Sequence, residues 1–283
     1  MSKRIVIVGG GGQVGSFLAA EADRQGRDVL ALTSSQWDIA DPRRATEIVQ
    51  AGDVVINCAA YTAVDDAEQD RDRAHAINAA GPGHLARACA GVGAQLVHIS
   101  TDYVFDGSGS RPYEPTDPTG PLSVYGQTKL AGEQAVLEAL PGAVVVRTAW
   151  VYTGGDGKDF VAAMRRLAAG DGIVDMVDDQ TGSPTYTGDL VGALLEAADG
   201  RVHAPNGVVH AANAGQVTRC GQARAVFEIL GADPERIRPV SSDHNPRPAP
   251  RPTYSALGAR QSAEAGLSPL RSWRDALVEA LAT

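Results

Sequence analysis

Short apolar runs alternate with longer amphipathic stretches through the first half of this chain. Residues 5–8, 28–32, 54–57, 95–100 and 143–147 are strand-length stretches dominated by Val, Ile, Leu and Ala. Between them, residues 13–25, 42–51, 73–90 and 124–140 carry apolar positions at helical spacing. Pro42 suits the first turn of its helix, with Asp41 as the cap. Strands that are apolar throughout, separated by helices, predict a parallel sheet covered on both faces. The expected fold class is therefore α/β, a doubly wound parallel sheet of the Rossmann type.

The texture changes after Trp150. Gly154, Gly155 and Gly157 cluster, later elements shorten, and a Pro-rich stretch runs from 246 to 252. This predicts a smaller lobe over the strand ends, interleaved in sequence with the main one. Residues 1–149 form the expected dinucleotide-binding domain, with about 186–214 packing back on it. Residues 150–185 and 215–283 form the expected substrate lobe. Helices near 189–198 and 218–230 are expected to return to the main sheet. Neither an internal repeat nor a low-complexity segment is visible.

Composition narrows the partners. The chain has 283 residues, 43% of them hydrophobic, enough for a substantial core, and a formal net charge of −9. There is no basic run, which argues against nucleic acid. An anionic ligand must then be held by local groups against the overall field. Cys58, Cys89 and Cys220 are scattered and fit no Cys/His zinc spacing, which reads as buried thiols in a reducing compartment. The start has no signal-peptide pattern, and no apolar run approaches about 20 residues, so no membrane span is expected. The expected location is the cytoplasm.

The first apolar run leads into Val8-Gly9-Gly10-Gly11-Gly12-Gln13-Val14-Gly15. Gly10, Gly12 and Gly15 fit G-x-G-x-x-G, and Gly9, Gly12 and Gly15 fit G-x-x-G-x-x-G. Either register lets the backbone approach a pyrophosphate at a helix N-terminus, and Gly15 allows close helix–sheet packing. Strand, turn and helix together predict a dinucleotide site. The second strand ends in Leu32-Thr33-Ser34-Ser35, without the carboxylate that would repel a 2′-phosphate. This favours NADPH and leaves NADH possible. Asp38-Ile39 falls near the expected adenine position.

The fourth strand ends in His98-Ile99-Ser100-Thr101-Asp102-Tyr103. In this fold ligands sit beyond the carboxyl ends of the strands, which puts Thr101 where a substrate carbonyl could take a hydrogen bond from its hydroxyl. Asp102 and Tyr103 either bind substrate hydroxyls or order the loop. On the next helix, Tyr125 and Lys129 are four apart and share a face. An ammonium so placed favours the phenolate and is expected to lower the tyrosine pKa, preparing a proton exchange with a substrate oxygen.

These motifs, with Arg147-Thr-Ala-Trp-Val-Tyr, Asn57-Cys58-Ala59-Ala60-Tyr61, Val177-Asp178-Asp179-Gln180-Thr181-Gly182 and Arg251-Pro252-Thr253-Tyr254, cover almost the whole chain. Together they resemble the extended short-chain dehydrogenase/reductase superfamily and, within it, the dTDP-4-dehydrorhamnose reductase family. The resemblance implies reduction of the C4 ketone of dTDP-4-dehydro-β-L-rhamnose to dTDP-β-L-rhamnose, the last step of dTDP-L-rhamnose synthesis. It makes Tyr125 the proton donor, with Lys129 tuning it and holding the nicotinamide ribose, and Thr101 orienting the carbonyl. It places Gln13, Val14, Asp38, Ile39, Ala59, Ala60, Tyr61 and Ser100 along the cofactor. Thr62, Val64, Tyr103, Trp150, Gln180 and Arg251 fall near the nucleotide sugar, Trp150 on an apolar sugar face and Arg251 on the diphosphate.

One position departs from the pattern. Some members of the family are metal-linked dimers with a Glu two residues past the last glycine, and here that position is Phe17. Neither the metal nor that dimer is carried over, and the expectation is a monomer or weak dimer. Two other readings share the motifs: a non-catalytic NADP-binding regulatory subunit, and a sugar-nucleotide epimerase or dehydratase. The intact Thr101, Tyr125 and Lys129 speak against the first. A single Asp102, where dehydratases carry an acidic pair, speaks against a dehydratase.

Overall fold

The computed structural model describes residues 3–244 and 246–282. Five of its strands are those that the apolar runs predict: β1 (Ile5–Val8), β2 (Val29–Leu32), β3 (Val54–Asn57), β4 (Gln95–Thr101) and β5 (Val144–Thr148). A sixth, Val208–His210, completes a parallel sheet in the order Val208–His210, β5, β4, β3, β1, β2. The fold is the expected doubly wound α/β type. Its strand order reverses between β1 and β3, the crevice where such sheets bind ligands.

Alternate residues of each strand face opposite layers. Ile5, Ile7, Val54 and Ile56 pack with Leu18 of α1 (Gln13–Arg24) and with Leu190 and Leu194 of the helix Thr187–Ala198. Val6, Val8, Val55 and Val145 pack on the other face against α2 (Pro42–Ile48), the α3–α4 helix and Val136 of α5 (Val124–Ala139). The third helix runs from Arg71 to Val92 with a π-helical turn, Ala76–Ala80, between α3 (Arg71–His75) and α4 (Gly81–Val92). Asp41 caps α2 by accepting from the Arg43 N–H at 3.0 Å. That helix stops before the expected residue 51 because Val49 turns extended and buries its side chain in the core.

A separate apolar cluster joins Tyr152, Val161, Met164, Phe227, Ile237 and Leu277. It is built from the helices Phe160–Ala168, Arg219–Ile229 and Trp273–Ala282 beside the parallel pair Val174–Val177 and Ile237–Val240. This corrects one expectation. The helix Thr187–Ala198 does return to the main sheet, but Arg219–Ile229 turns Ala223, Val226 and Phe227 into this second cluster. Among the described residues, no helix is long and apolar enough to cross a membrane.

Candidate active site

The glycine turn is the floor of the crevice between β1 and β3. Gly9 has φ +82°, and a Cβ there would lie 2.7 Å from the Ala59 nitrogen. A Cβ on Gly15 would lie 2.3 Å from the Gly9 carbonyl oxygen. These contacts select the Gly9, Gly12, Gly15 register. The Gly9 and Gly10 N–H groups both donate to the Leu32 carbonyl, at 3.0 and 2.8 Å, which ties the turn to the end of β2. No side chain caps α1, and its first turn carries no carboxylate, so the positive helix end is left for an anion. The backbone cradle and uncapped helix fit a dinucleotide pyrophosphate.

Asn57, at the end of β3, orders the opposite wall. Its Oδ1 accepts from the Ala59 N–H at 3.0 Å, and its Nδ2 meets His98 Nδ1 at 3.0 Å. Burial drives the His98 pKa far down, so the ring is a neutral acceptor. Asn78, in the π-helical turn, holds both backbone groups of Tyr61 and donates to Thr128 Oγ1 of α5. Gly12, Gln13, Val14, Ala59, Ala60, Thr62, Val64, Ser100, Thr101, Tyr103, Tyr125, Lys129 and Trp150 all line one cleft of about 490 Å³. Ser100 brings to it a buried hydroxyl with no hydrogen-bond partner.

Besides Gly9 and Gly15 of the turn itself, three expected cofactor residues lie outside that lining. Asp38 is exposed and accepts from the Ala40 N–H at 3.0 Å. Ile39 is a core residue, packed beneath Gly81 of α4. The Tyr61 ring packs with Val124 and Tyr125, and its hydroxyl reaches Asp70 at 3.4 Å.

Helix α5 delivers the reactive pair. Ser123 caps it by accepting from the Gly126 N–H at 3.2 Å, and Glu68 accepts from the Val124 N–H at 2.8 Å. A Cβ on Gly126 would sit 2.3 Å from the Tyr103 carbonyl oxygen. Glycine there lets the first turn of α5 press on the segment after β4, and Tyr125 and Thr101 line the same cleft. The Thr101 hydroxyl donates to Asp102 Oδ1 at 3.0 Å, and its oxygen accepts from the Tyr103 N–H at 3.2 Å. Asp102 Oδ2 accepts from Ser255 at 2.6 Å, and only 2% of Asp102 is exposed. Burial pushes its pKa up to about 6, with the Ser255 and Thr101 bonds resisting. One expectation changes. The Tyr125 pKa is raised, not lowered, because burial outweighs the opposing influence of Thr101.

Lys129 is 2% exposed and donates to the Ile99 carbonyl at 2.6 Å. Burial brings its pKa down to about 8, opposed by Glu133. Glu133, one turn on, forms a two-pronged pair with Arg147 of β5 at 2.9 and 2.7 Å, with both side chains buried. That pair fixes α5 to the sheet.

On the substrate side, Trp150 has φ +48°, the only non-glycine residue with positive φ among those described. Its indole faces Gly182, where a Cβ would lie 2.4 Å from Cε2. The Arg219 guanidinium stacks on the ring, 3.5 Å from its centroid. A second cleft of about 890 Å³ meets the first at Tyr103 and Arg219, and Gln180, Arg247 and Arg251 line it. Arg251 is committed to Asp65, with its Nη2 at 2.9 Å from Oδ2 and its Nη1 on Oδ1. Arg247 holds the same carboxylate at 2.6 Å. Arg251, then Arg247, keeps the Asp65 carboxyl well below the usual range. Sequence reasoning missed Arg219, Arg247 and the role of Asp65. Nothing local separates them from the other charged residues, since their partners are distant in the chain.

A glycine cradle leading to a Thr–Tyr–Lys set at the strand ends defines a dinucleotide-dependent reductase of the short-chain type. The profile of the family described as RmlD substrate binding domain matches residues 3–283, and the chain belongs to that family. It is 67% identical to a dTDP-4-dehydrorhamnose reductase of Mycobacterium tuberculosis (strain ATCC 25618 / H37Rv), over 99% of this chain and 93% of the relative. It is 64% identical to that of Mycolicibacterium smegmatis (strain ATCC 700084 / mc(2)155), over 100% of this chain and 86% of the relative. Among solved structures it resembles a dTDP-4-dehydrorhamnose reductase of Bacillus anthracis str. Ames in complex with NADP. That match has a TM-score of 0.93 and 34% identity, over 100% of this chain and 99% of the other.

Proposed function

We propose that this chain reduces the C4 ketone of dTDP-4-dehydro-β-L-rhamnose to give dTDP-β-L-rhamnose, the final step in making that nucleotide sugar. The observation that carries the reading is that Tyr125, Thr101 and Lys129 line one cleft with the glycine turn. The full-length likeness to reductases of that name supports it.

NADPH supplies the hydride to C4 when bound, and NADH is an accepted alternative. The chain's own residues supply the rest. The turn through Gly9, Gly12 and Gly15, with Gln13, Val14, Ala59, Ala60 and Ser100, holds the dinucleotide. Asp38 and Ile39 lie towards its adenosine end, and Tyr61 lies along it on the side of Tyr125. Tyr125 gives its phenolic proton to the C4 oxygen as the carbonyl π bond breaks. A raised pKa suits this direction, because the phenol must be protonated to donate. The Lys129 ammonium steadies the phenolate left behind, and a proton from water restores it. Thr101, held by Asp102, orients the carbonyl beside the phenol. Thr62, Val64, Tyr103, Trp150, Gln180 and Arg251 surround the nucleotide sugar, with residues 150–185 and 215–283 as the substrate lobe.

With Phe17 on the first helix, the chain is read as a monomer or weak dimer. Three free thiols, Cys58, Cys89 and Cys220, suit a cytoplasmic enzyme.

The test is turnover. Purified protein should oxidise NADPH when dTDP-4-dehydrorhamnose is supplied, with the 4-hydroxy sugar as product. Tight NADPH binding without oxidation would favour the regulatory-subunit reading.

A further inference from the structure

We infer that Arg219 is the anchor for the diphosphate of the nucleotide sugar, and that it sets the position of the sugar against Trp150. The inference rests on the reading above for the identity of the ligand. Its own support is geometric.

Arg219 stands in the throat between the two clefts and lines both. If the sugar lies by Trp150 and Tyr125 in the inner cleft, and the base and deoxyribose lie in the outer one, the diphosphate must cross this throat. The guanidinium is held flat by two rings, 3.5 Å from the centroid of Trp150 and 4.8 Å from that of Phe160. Stacking occupies the faces of a guanidinium and leaves its edge donors to act in plane. One of those donors reaches Gln222 Oε1 at 3.3 Å. Among the described residues no carboxylate lies within ion-pair distance of Arg219, whereas the neighbouring Arg247 and Arg251 share Asp65. Asp102, the nearby acid, already accepts from Thr101 and Ser255. Arg219 is half-buried, and a cation partly withdrawn from water without a counter-ion gains from an anion that joins it. Burial lowers its pKa to about 10, which leaves it charged at neutrality. In a chain of net charge −9, this is the placed positive charge that a dianionic linker requires.

Arg251 is a poorer anchor as it stands, because an anion would have to displace Asp65 from both of its Nη groups. The stack also bears on Trp150. The indole packs on Gly182 and on Arg219, so an anion that fixes Arg219 helps fix the apolar surface that meets the sugar ring.

The experiment compares dTDP with thymidine as probes by calorimetry, in the wild-type protein and in Arg219→Met and Arg219→Lys. Methionine keeps most of the apolar stem but removes the charge. The expected result is dTDP binding weakened about 10- to 100-fold in Arg219→Met, the loss of a charge-assisted hydrogen-bonded contact. Thymidine binding should change less than about twofold, and Arg219→Lys should fall between. With NADPH and the keto sugar, KM should rise by a similar factor while kcat moves less. Equal weakening of dTDP and thymidine would mean that Arg219 only shapes the cleft, and unchanged dTDP binding would remove it from the site. Either outcome overturns the inference. The binding arm needs no turnover, so it stands apart from the identity of the reaction, which the failure of wild-type NADPH oxidation would overturn by itself.

Discussion

The Thr101 hydroxyl donates to Asp102 Oδ1 at 3.0 Å, in the cleft that Tyr125 also lines. That hold on Thr101 is strongest with Asp102 ionised. Its pKa is pushed up to about 6, so kcat/KM should fall as pH drops through 6. The fold should not weaken with it on this account. The folded pKa lies above the ordinary 3.8, so between about pH 4 and 6 the native chain binds more protons than the unfolded one. Protonation of Asp102 therefore adds to the free energy of unfolding as pH falls through that window. Circular dichroism at pH 5 should show native structure where activity is already declining, and Asp102→Asn should flatten the acid limb. An acid limb unchanged in Asp102→Asn would remove Asp102 from that role.

Lys129 sets the other limb. Its pKa is brought down to about 8 by burial, so its charge, and with it kcat/KM, should be lost above pH 8. Here the folded value lies below the ordinary 10.5. Between about pH 8 and 10.5 the unfolded chain holds more protons, and stability contributed by this group rises with pH. Alkaline inactivation should therefore precede any unfolding. Lys129→Met should lower kcat about 100-fold or more and abolish that limb. Survival of the limb in Lys129→Met would assign it to another group.

The Glu133–Arg147 pair is the bolt between α5 and β5. Glu133→Gln leaves the Arg147 guanidinium buried without its counter-ion and should cost about 3–5 kcal/mol. Thermal melting should show this as a Tm lower by roughly 10 °C. A shift of less than about 2 °C would mean that Arg147 finds compensation elsewhere.

Gly9→Ala tests the cofactor cradle. Its φ of +82° disfavours any side chain, and the new Cβ would meet the Ala59 nitrogen at 2.7 Å. Moving the turn and the Ala59 wall apart should weaken NADPH binding by about tenfold or more, since each 1.4 kcal/mol of lost interaction is tenfold. Unchanged NADPH affinity, read by fluorescence titration, would place the dinucleotide elsewhere.

How much of this was legible in the chain depends on how local each cause is. The strands β1 and β3 are buried on both faces, so they read directly as unbroken apolar runs. Val208–His210 has only three residues and no such signature, although it closes the edge of the sheet. The amphipathic pattern of Arg219–Ile229 says that one face is buried but not against what, and the expectation chose the wrong layer. Thr101, Tyr125 and Lys129 are legible because strand end and helix face follow from position and spacing. The Tyr125 pKa is not, because burial comes from surrounding segments. The hold on Thr101 depends on Asp102, which Ser255 fixes from a point 153 residues away. The Asp65–Arg251 pair, 186 residues apart, and the Arg219 stack on Trp150 are likewise tertiary facts that no local pattern announces.

The most direct measurement is the steady-state kinetics of Tyr125→Phe with NADPH and dTDP-4-dehydrorhamnose, alongside its NADPH dissociation constant. Removing one hydroxyl should cut kcat by about 100-fold or more and leave the dissociation constant within about twofold. Normal turnover by Tyr125→Phe would contradict the account, because the C4 oxygen would then be taking its proton from some other group.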